Sequence, residues 1–182
     1  MRRTRERVPD LVDIVHEAGD WDLSVLQDVA KRAAQATLAR LDLPTQGYEI
    51  AILACDDARI AALNDQFRGK ATATNVLSWP AWDLTSETDG GTPDLPPPGD
   101  ADDPESLGNI ALAFETCQRE ASAQHKPFAA HLTHLIVHSV LHLLGYDHIR
   151  DKDAALMEET EIAILASMGI ENPYELGAEL PL

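Results

Sequence analysis

The stretch 127–148 constrains this chain more than any other, because an apolar helical pattern there carries histidines that must be reconciled with it. Leu132, Leu135, Ile136, Val140, Leu141 and Leu144 recur at helical spacing. Pro127 suits the first turn, where its missing N–H has no intrahelical partner, and Gly145 can take the left-handed conformation that ends a helix near Leu144. His138 and His142, four apart, then share one face about one turn apart, roughly 6 Å along the axis. Two imidazoles at that separation can converge on one cation. The turn at Gly145 lets His148 return from the following loop as a third ligand. Three histidines leave the fourth position of a zinc ion for water and leave the ion its full charge. The competing reading, histidines satisfied within an apolar core, does not account for the glycine and the third histidine at this spacing. A metal site at His138, His142 and His148 is therefore expected.

The spacing equals that of the zinc peptidases, H-E-x-x-H-x-x-G-x-x-H, with one departure. Ser139 stands where that pattern has its glutamate base, and a serine cannot take a proton from metal-bound water as a carboxylate does. His134 lies one turn before His138, but a single cation cannot easily meet three consecutive helical turns, so His134 is expected to support the ligands or pack. His131 is expected to be structural, and His16 and His125 have no supporting pattern. Asp147 could orient an imidazole or cap the turn. Tyr146 and Ser139 are candidate pocket residues, and Met157 is expected to pack.

Elsewhere the chain alternates helical and strand patterns. Helices are expected at 22–41, from Asp56 or Asp57 to about Phe67, in a short segment ending near His125, and at 153–168 before Gly169. Strands are expected at 48–54, at 75–79 closed by Pro80, and at 108–115, where Ile110, Leu112 and Phe114 alternate. The 182 residues fit one domain. The expected class is α+β, close to α/β: a single layered domain with a small mixed sheet of about four strands packed by helices, the metal site on a helix and its following loop. The stretch 82–106 differs in kind. It holds five prolines, paired glycines and many acids, with no lysine or arginine. Such composition buries little surface, so a flexible insert is expected.

Net charge is −17, from 14 basic and 31 acidic residues, which argues against a protein that coats nucleic acid with a basic surface. Cys55 and Cys117 form no CxxC pair and read as buried thiols of a reducing compartment. The longest apolar run is too short and too interrupted to span a bilayer, and no apolar segment follows the basic start, so a cytoplasmic protein is expected. Arg2, Arg3, Arg5 and Arg7 could form an RNA-contacting arm.

The segment His138-Ser-Val-Leu-His142-Leu-Leu-Gly145-Tyr-Asp-His148 resembles the YbeY family of rRNA-maturation endoribonucleases, which carry H-G-x-L-H-L-x-G-Y-D-H. The resemblance extends to Leu63-Asn64 through Arg68-Gly69-Lys70, to Thr74-Asn75-Val76-Leu77-Ser78-Trp79-Pro80, and to Leu107-Gly108-Asn109-Ile110. Met157-Glu158-x-x-Glu161-Ile162 and Asn172-Pro173-Tyr174 are also similar to the family. It implies one zinc on His138, His142 and His148, with Arg68 as the family's loop arginine. It also implies cleavage of single-stranded RNA, processing of the small-subunit rRNA 3′ end, ribosome quality control, and ribosomal proteins or ribosome-associated factors as partners. Neither membrane nor DNA binding is expected. The chain departs from the pattern at Ser139 (usually glycine), at Asn109 (usually aspartate), and in its longer acidic insert.

The expected catalytic set is thus Arg68, His138, His142 and His148. Arg68 would clamp a phosphate with its guanidinium fork. Lys70 is a weaker candidate for the same local positive groove. Two other readings remain open on sequence: a ribosome-associated assembly factor whose zinc is structural, and another metal hydrolase, such as an atypical peptidase or a phosphoesterase.

Overall fold

The structure, a computed structural model, describes residues 10–175. The arginines at positions 2, 3, 5 and 7 lie outside the described residues. Elements follow in the order β1 (Val12–His16), α1 (Leu23–Arg40), β2 (Tyr48–Cys55), α2 (Asp57–Arg68), β3 (Val76–Pro80), β4 (Glu105–Ala113), α3 (Phe114–Ala123), α4 (Phe128–Leu143) and α5 (Asp151–Ser167). The sheet runs β1-β2-β4-β3, with β1 parallel to β2, β2 parallel to β4, and β3 antiparallel to β4.

Alternation along β2 and β4 divides the core into two layers. Ile50, Ile52, Ile110 and Leu112 face a large cluster that takes in Leu26, Ala30 and Leu38 of α1 and Leu132, Ile136 and Val140 of α4. Cys55, Ala111 and Ala113 join Ile60 and Leu63 of α2 in a smaller one. α4 and α1 thus cover one side of the sheet and α2 the other, the layered arrangement expected of mixed helix and strand. Strand β4 departs from its expectation. It begins at Glu105 and is buried on both faces, and α3 starts at Phe114. A central strand between two neighbours reads as nearly continuous apolar sequence, so alternation understates its burial. Within β4, Gly108 has φ +131°, and a Cβ there would sit 2.2 Å from the Trp79 carbonyl oxygen. It lies at the irregularity in the β2–β4 register, which a side chain would not permit.

Strand β1 is an element that periodicity did not reveal. Of its five residues only Val12 is buried, so as an edge strand it carries neither alternation nor an apolar run. Both cysteines are free and buried, and burial pushes each thiol up to about 12. No helix among the described residues is long and apolar enough to cross a membrane.

Between β3 and β4 the acidic insert has no helix or strand of its own beyond Pro80 and before Glu105. It is fastened at particular points. Leu84 is buried over the turn at Gly145. Arg150 donates to the Ser86 carbonyl at 2.8 Å and pairs with Asp153, which accepts from the Gly90 N–H at 2.8 Å. The Trp82 indole N–H donates to Glu105 at 3.0 Å.

Candidate metal centre

Helix α4 ends in a turn that aims the site. Gly145 adopts φ +91°, its N–H bonds the His142 carbonyl at 3.1 Å, and the Tyr146 N–H bonds the Leu141 carbonyl at 3.0 Å. This is the paired-bond termination that a left-handed glycine allows. A Cβ at Gly145 would also lie 2.7 Å from the Leu84 backbone, so glycine lets the insert pack directly on the turn. The turn leaves the Tyr146 carbonyl 2.9 Å from His142 Nδ1.

His138 finds its Nδ1 partner on another helix. Glu161 of α5 is fully buried, and its Oε2 lies 3.1 Å from His138 Nδ1. The same carboxylate pairs with His134 Nε2 and accepts from the Tyr174 hydroxyl at 3.0 Å. Burial alone would push the Glu161 carboxyl up. Hydrogen bonds and electrostatic attraction from His134 and His138 outweigh it and hold the group at about 2, so it is ionised near neutrality.

These partners fix both tautomers. A backbone carbonyl and an ionised carboxylate can only accept, so His142 and His138 each carry their proton on Nδ1. Their Nε2 atoms, 3.1 Å apart, then point lone pairs at each other. Such an approach requires a positive charge between them, either an extra proton or a metal ion. Burial and the neighbouring His138 push the His142 imidazole down to about 4, so the two rings do not both carry an extra proton near neutrality. Two nitrogens on a tetrahedral zinc, each at about 2.0–2.1 Å, stand roughly 3.3 Å apart. The pair therefore fits a metal. His148 completes the set: one ligand atom from each of His138, His142 and His148 lies within 4.8 Å of the others. Its ring centroid is 5.6 Å from that of His138 and 5.1 Å from that of His142, and its side chain is exposed.

The three histidines open onto a groove of about 680 Å³. Arg68 also lines it, as the last residue of α2 before Gly69 turns the chain with φ +66°. It is exposed and has no carboxylate partner among the described residues. Lys70 is exposed and does not line the groove, so the expected second basic residue is missing from it. Asp83 and Asp147 line it instead.

Several other expectations resolve in the same geometry. His134 meets Glu161 and is not among the clustered ligands. His131 is buried, with Nε2 2.8 Å from Glu120, a carboxylate that also accepts from the Asn75 amide at 3.0 Å. His16 bonds the Gly19 carbonyl at 3.0 Å. Asp147 accepts from the Ile149 N–H at 3.2 Å and so caps the turn rather than orienting a ligand. Tyr146 lines the groove, whereas Ser139 is fully buried with an unpartnered hydroxyl and does not reach it. Met157 packs in the core. Asn109 is exposed on β4 and outside the groove lining.

The orienting groups, Glu161 and the Tyr146 carbonyl, escaped the sequence reading as functional residues. A carbonyl leaves no sequence signal. Glu161 left one: with Met157, Ile164 and Leu165 it is among the buried residues of α5, where a carboxylate needs partners.

Comparison with known proteins places the chain in a family. The family model described as endoribonuclease YbeY matches residues 13–169. The chain is 57% identical over 164 residues to a protein named endoribonuclease YbeY from Dinoroseobacter shibae, covering 90% of each. It is 56% identical to the protein of that name from Ruegeria pomeroyi, over 91% of this chain and 98% of the relative. The solution structure of TM1509 from Thermotoga maritima is similar in fold, with a TM-score of 0.52 at 18% identity over 90% of this chain and 95% of that one. By the family match and these identities, the chain belongs to the endoribonuclease YbeY family.

Proposed function

We propose that this chain is a zinc-dependent endoribonuclease that cuts single-stranded RNA, works on the 3′ end of small-subunit rRNA, and serves ribosome quality control in the cytoplasm. The observation that carries the metal-dependent reading is the facing pair of His138 and His142 Nε2 atoms with both Nδ1 atoms committed elsewhere. His138, His142 and His148 would hold one zinc, which when bound supplies a Lewis acid at the groove wall.

The protein's own residues supply the rest. Glu161 and the Tyr146 carbonyl hold two imidazoles in the ligating tautomer. Arg68, in the same groove, presents a guanidinium fork to a phosphate oxygen and offsets the charge that develops there. The single basic side chain in that groove also explains how an acidic protein could act on RNA: contact is local, and recruitment falls to ribosomal proteins or ribosome-associated factors. The structural-zinc reading would need a fourth protein ligand, and no further histidine, cysteine or carboxylate joins the cluster among the described residues. A peptidase would need a base at position 139, where the side chain is a buried serine.

The test compares RNA cleavage by highly purified wild type, Arg68→Glu and His142→Ala. Wild type should cut single-stranded RNA. Arg68→Glu should lose about a hundredfold or more in kcat while keeping its metal. His142→Ala should lose both metal and activity. Equal cleavage by all three would mark a contaminating nuclease and end the proposal.

A further inference from the structure

The groove carries an aromatic rim that the phosphodiester chemistry does not use. Trp82 lines the groove at the start of the insert and is 43% exposed, although a large aromatic side chain in water is normally covered. Its one polar atom is already occupied, because the indole N–H donates to Glu105 at 3.0 Å. Tyr174 lines the same groove at 41% exposure, and its hydroxyl is likewise spent on Glu161. Both rings are tethered through their polar atoms to carboxylates, and what they offer to the groove is apolar ring. A ligand recognised there must bring a flat, polarisable face rather than a hydrogen-bonding edge.

Charge narrows the ligand further. Arg68 is the one lysine or arginine among the groove-lining residues, while Asp83, beside Trp82 in sequence, and Asp147 line it too. Asp83, next to Trp82 in the chain, disfavours a phosphate beside the indole and does not disfavour a neutral base. We propose that Trp82 is a stacking platform for a nucleobase of the RNA strand whose phosphate is held at Arg68 and the histidines. This rests on the endoribonuclease reading above. Bases within a duplex are already stacked on their neighbours, so a platform of this kind selects unpaired RNA. It also supplies affinity that does not depend on phosphate neutralisation, which a chain of net charge −17 can ill provide.

Two measurements on the zinc-loaded protein test this. In steady-state cleavage of a single-stranded oligoribonucleotide, Trp82→Ala should raise KM about tenfold with kcat changed less than about twofold, and Trp82→Phe should recover most of the loss. In a fluorescence titration, the same oligoribonucleotide should quench wild-type tryptophan emission. A strand of identical length whose nucleotides over the groove are abasic should not, and quenching should vanish in Trp82→Phe. Unchanged KM in Trp82→Ala, or equal quenching by the abasic strand, would overturn the platform while leaving the nuclease intact. The titration requires no turnover, so a wild type that cuts no RNA would defeat the nuclease reading and leave quenching to decide the subsite. Thermal unfolding of each variant within a few degrees of wild type shows that the change is local.

Discussion

The two walls of the groove are built on different principles. The histidine wall stands on α4 and α5, its ligands oriented by a fully buried carboxylate and a backbone carbonyl. The rim from Trp82 onward belongs to a connection without regular structure, held by a buried leucine, by a hydrogen bond that Arg150 donates, and by two that Asp153 and Glu105 accept. Two of the three histidines stand on a packed helix, whereas Trp82 stands in a connection without helix or strand. The two meet at Gly145, where the insert rests directly on the turn that aims His148.

The sharpest way to test the stiffness assigned to the histidine wall is Glu161→Gln. Losing the charge behind His138 should raise the dissociation constant for zinc about 10- to 100-fold in a chelator competition. The same variant should alter acid unfolding. The Glu161 carboxyl is held at about 2 in the fold, below its ordinary 4.5. Its contribution is therefore complete above about pH 4.5 and is lost as pH falls toward 2, on the order of a few kcal/mol. Metal-free wild type should weaken through that window in denaturant titrations, and Glu161→Gln should show a flatter profile there. Unaltered zinc affinity in the variant would separate Glu161 from the metal site.

A smaller effect tests the other wall. Arg150→Ala should leave global stability almost unchanged, because the side chain is partly exposed and its ion pairs are screened by solvent. It should nevertheless speed amide exchange in the insert around 84–94, leaving the segment from His134 to His148 protected. Equal acceleration of both would mean that the two walls form one cooperative unit. In the wild type the insert should already exchange faster than α4.

The same contrast governs what the sequence revealed. Helix α4, its glycine stop and the returning His148 were legible because three independent local signals, periodicity, glycine and histidine spacing, point to one geometry. A cap at Asp56 or Asp57 was legible at the start of α2, and it is Asp56 that accepts from the Arg59 N–H at 2.8 Å. Strand β1 was not, because an edge strand with one buried residue has no pattern to read. Glu161 was hidden for a different reason. Its meaning depends on α5 packing against α4, a long-range fact that no spacing within α5 records. Lys70 shows how little adjacency decides: it stands two residues after Arg68 and is not among the residues lining the groove.

The central claim is that His138, His142 and His148 together hold one metal ion with a position left open. Elemental analysis combined with X-ray absorption at the zinc edge, on wild type and His148→Ala, tests it most directly. The account predicts about one zinc per chain, three imidazole nitrogens and one further oxygen donor in wild type, and loss of one imidazole or of the metal in the variant. Absence of bound metal, or a shell that His148→Ala leaves unchanged, would contradict it.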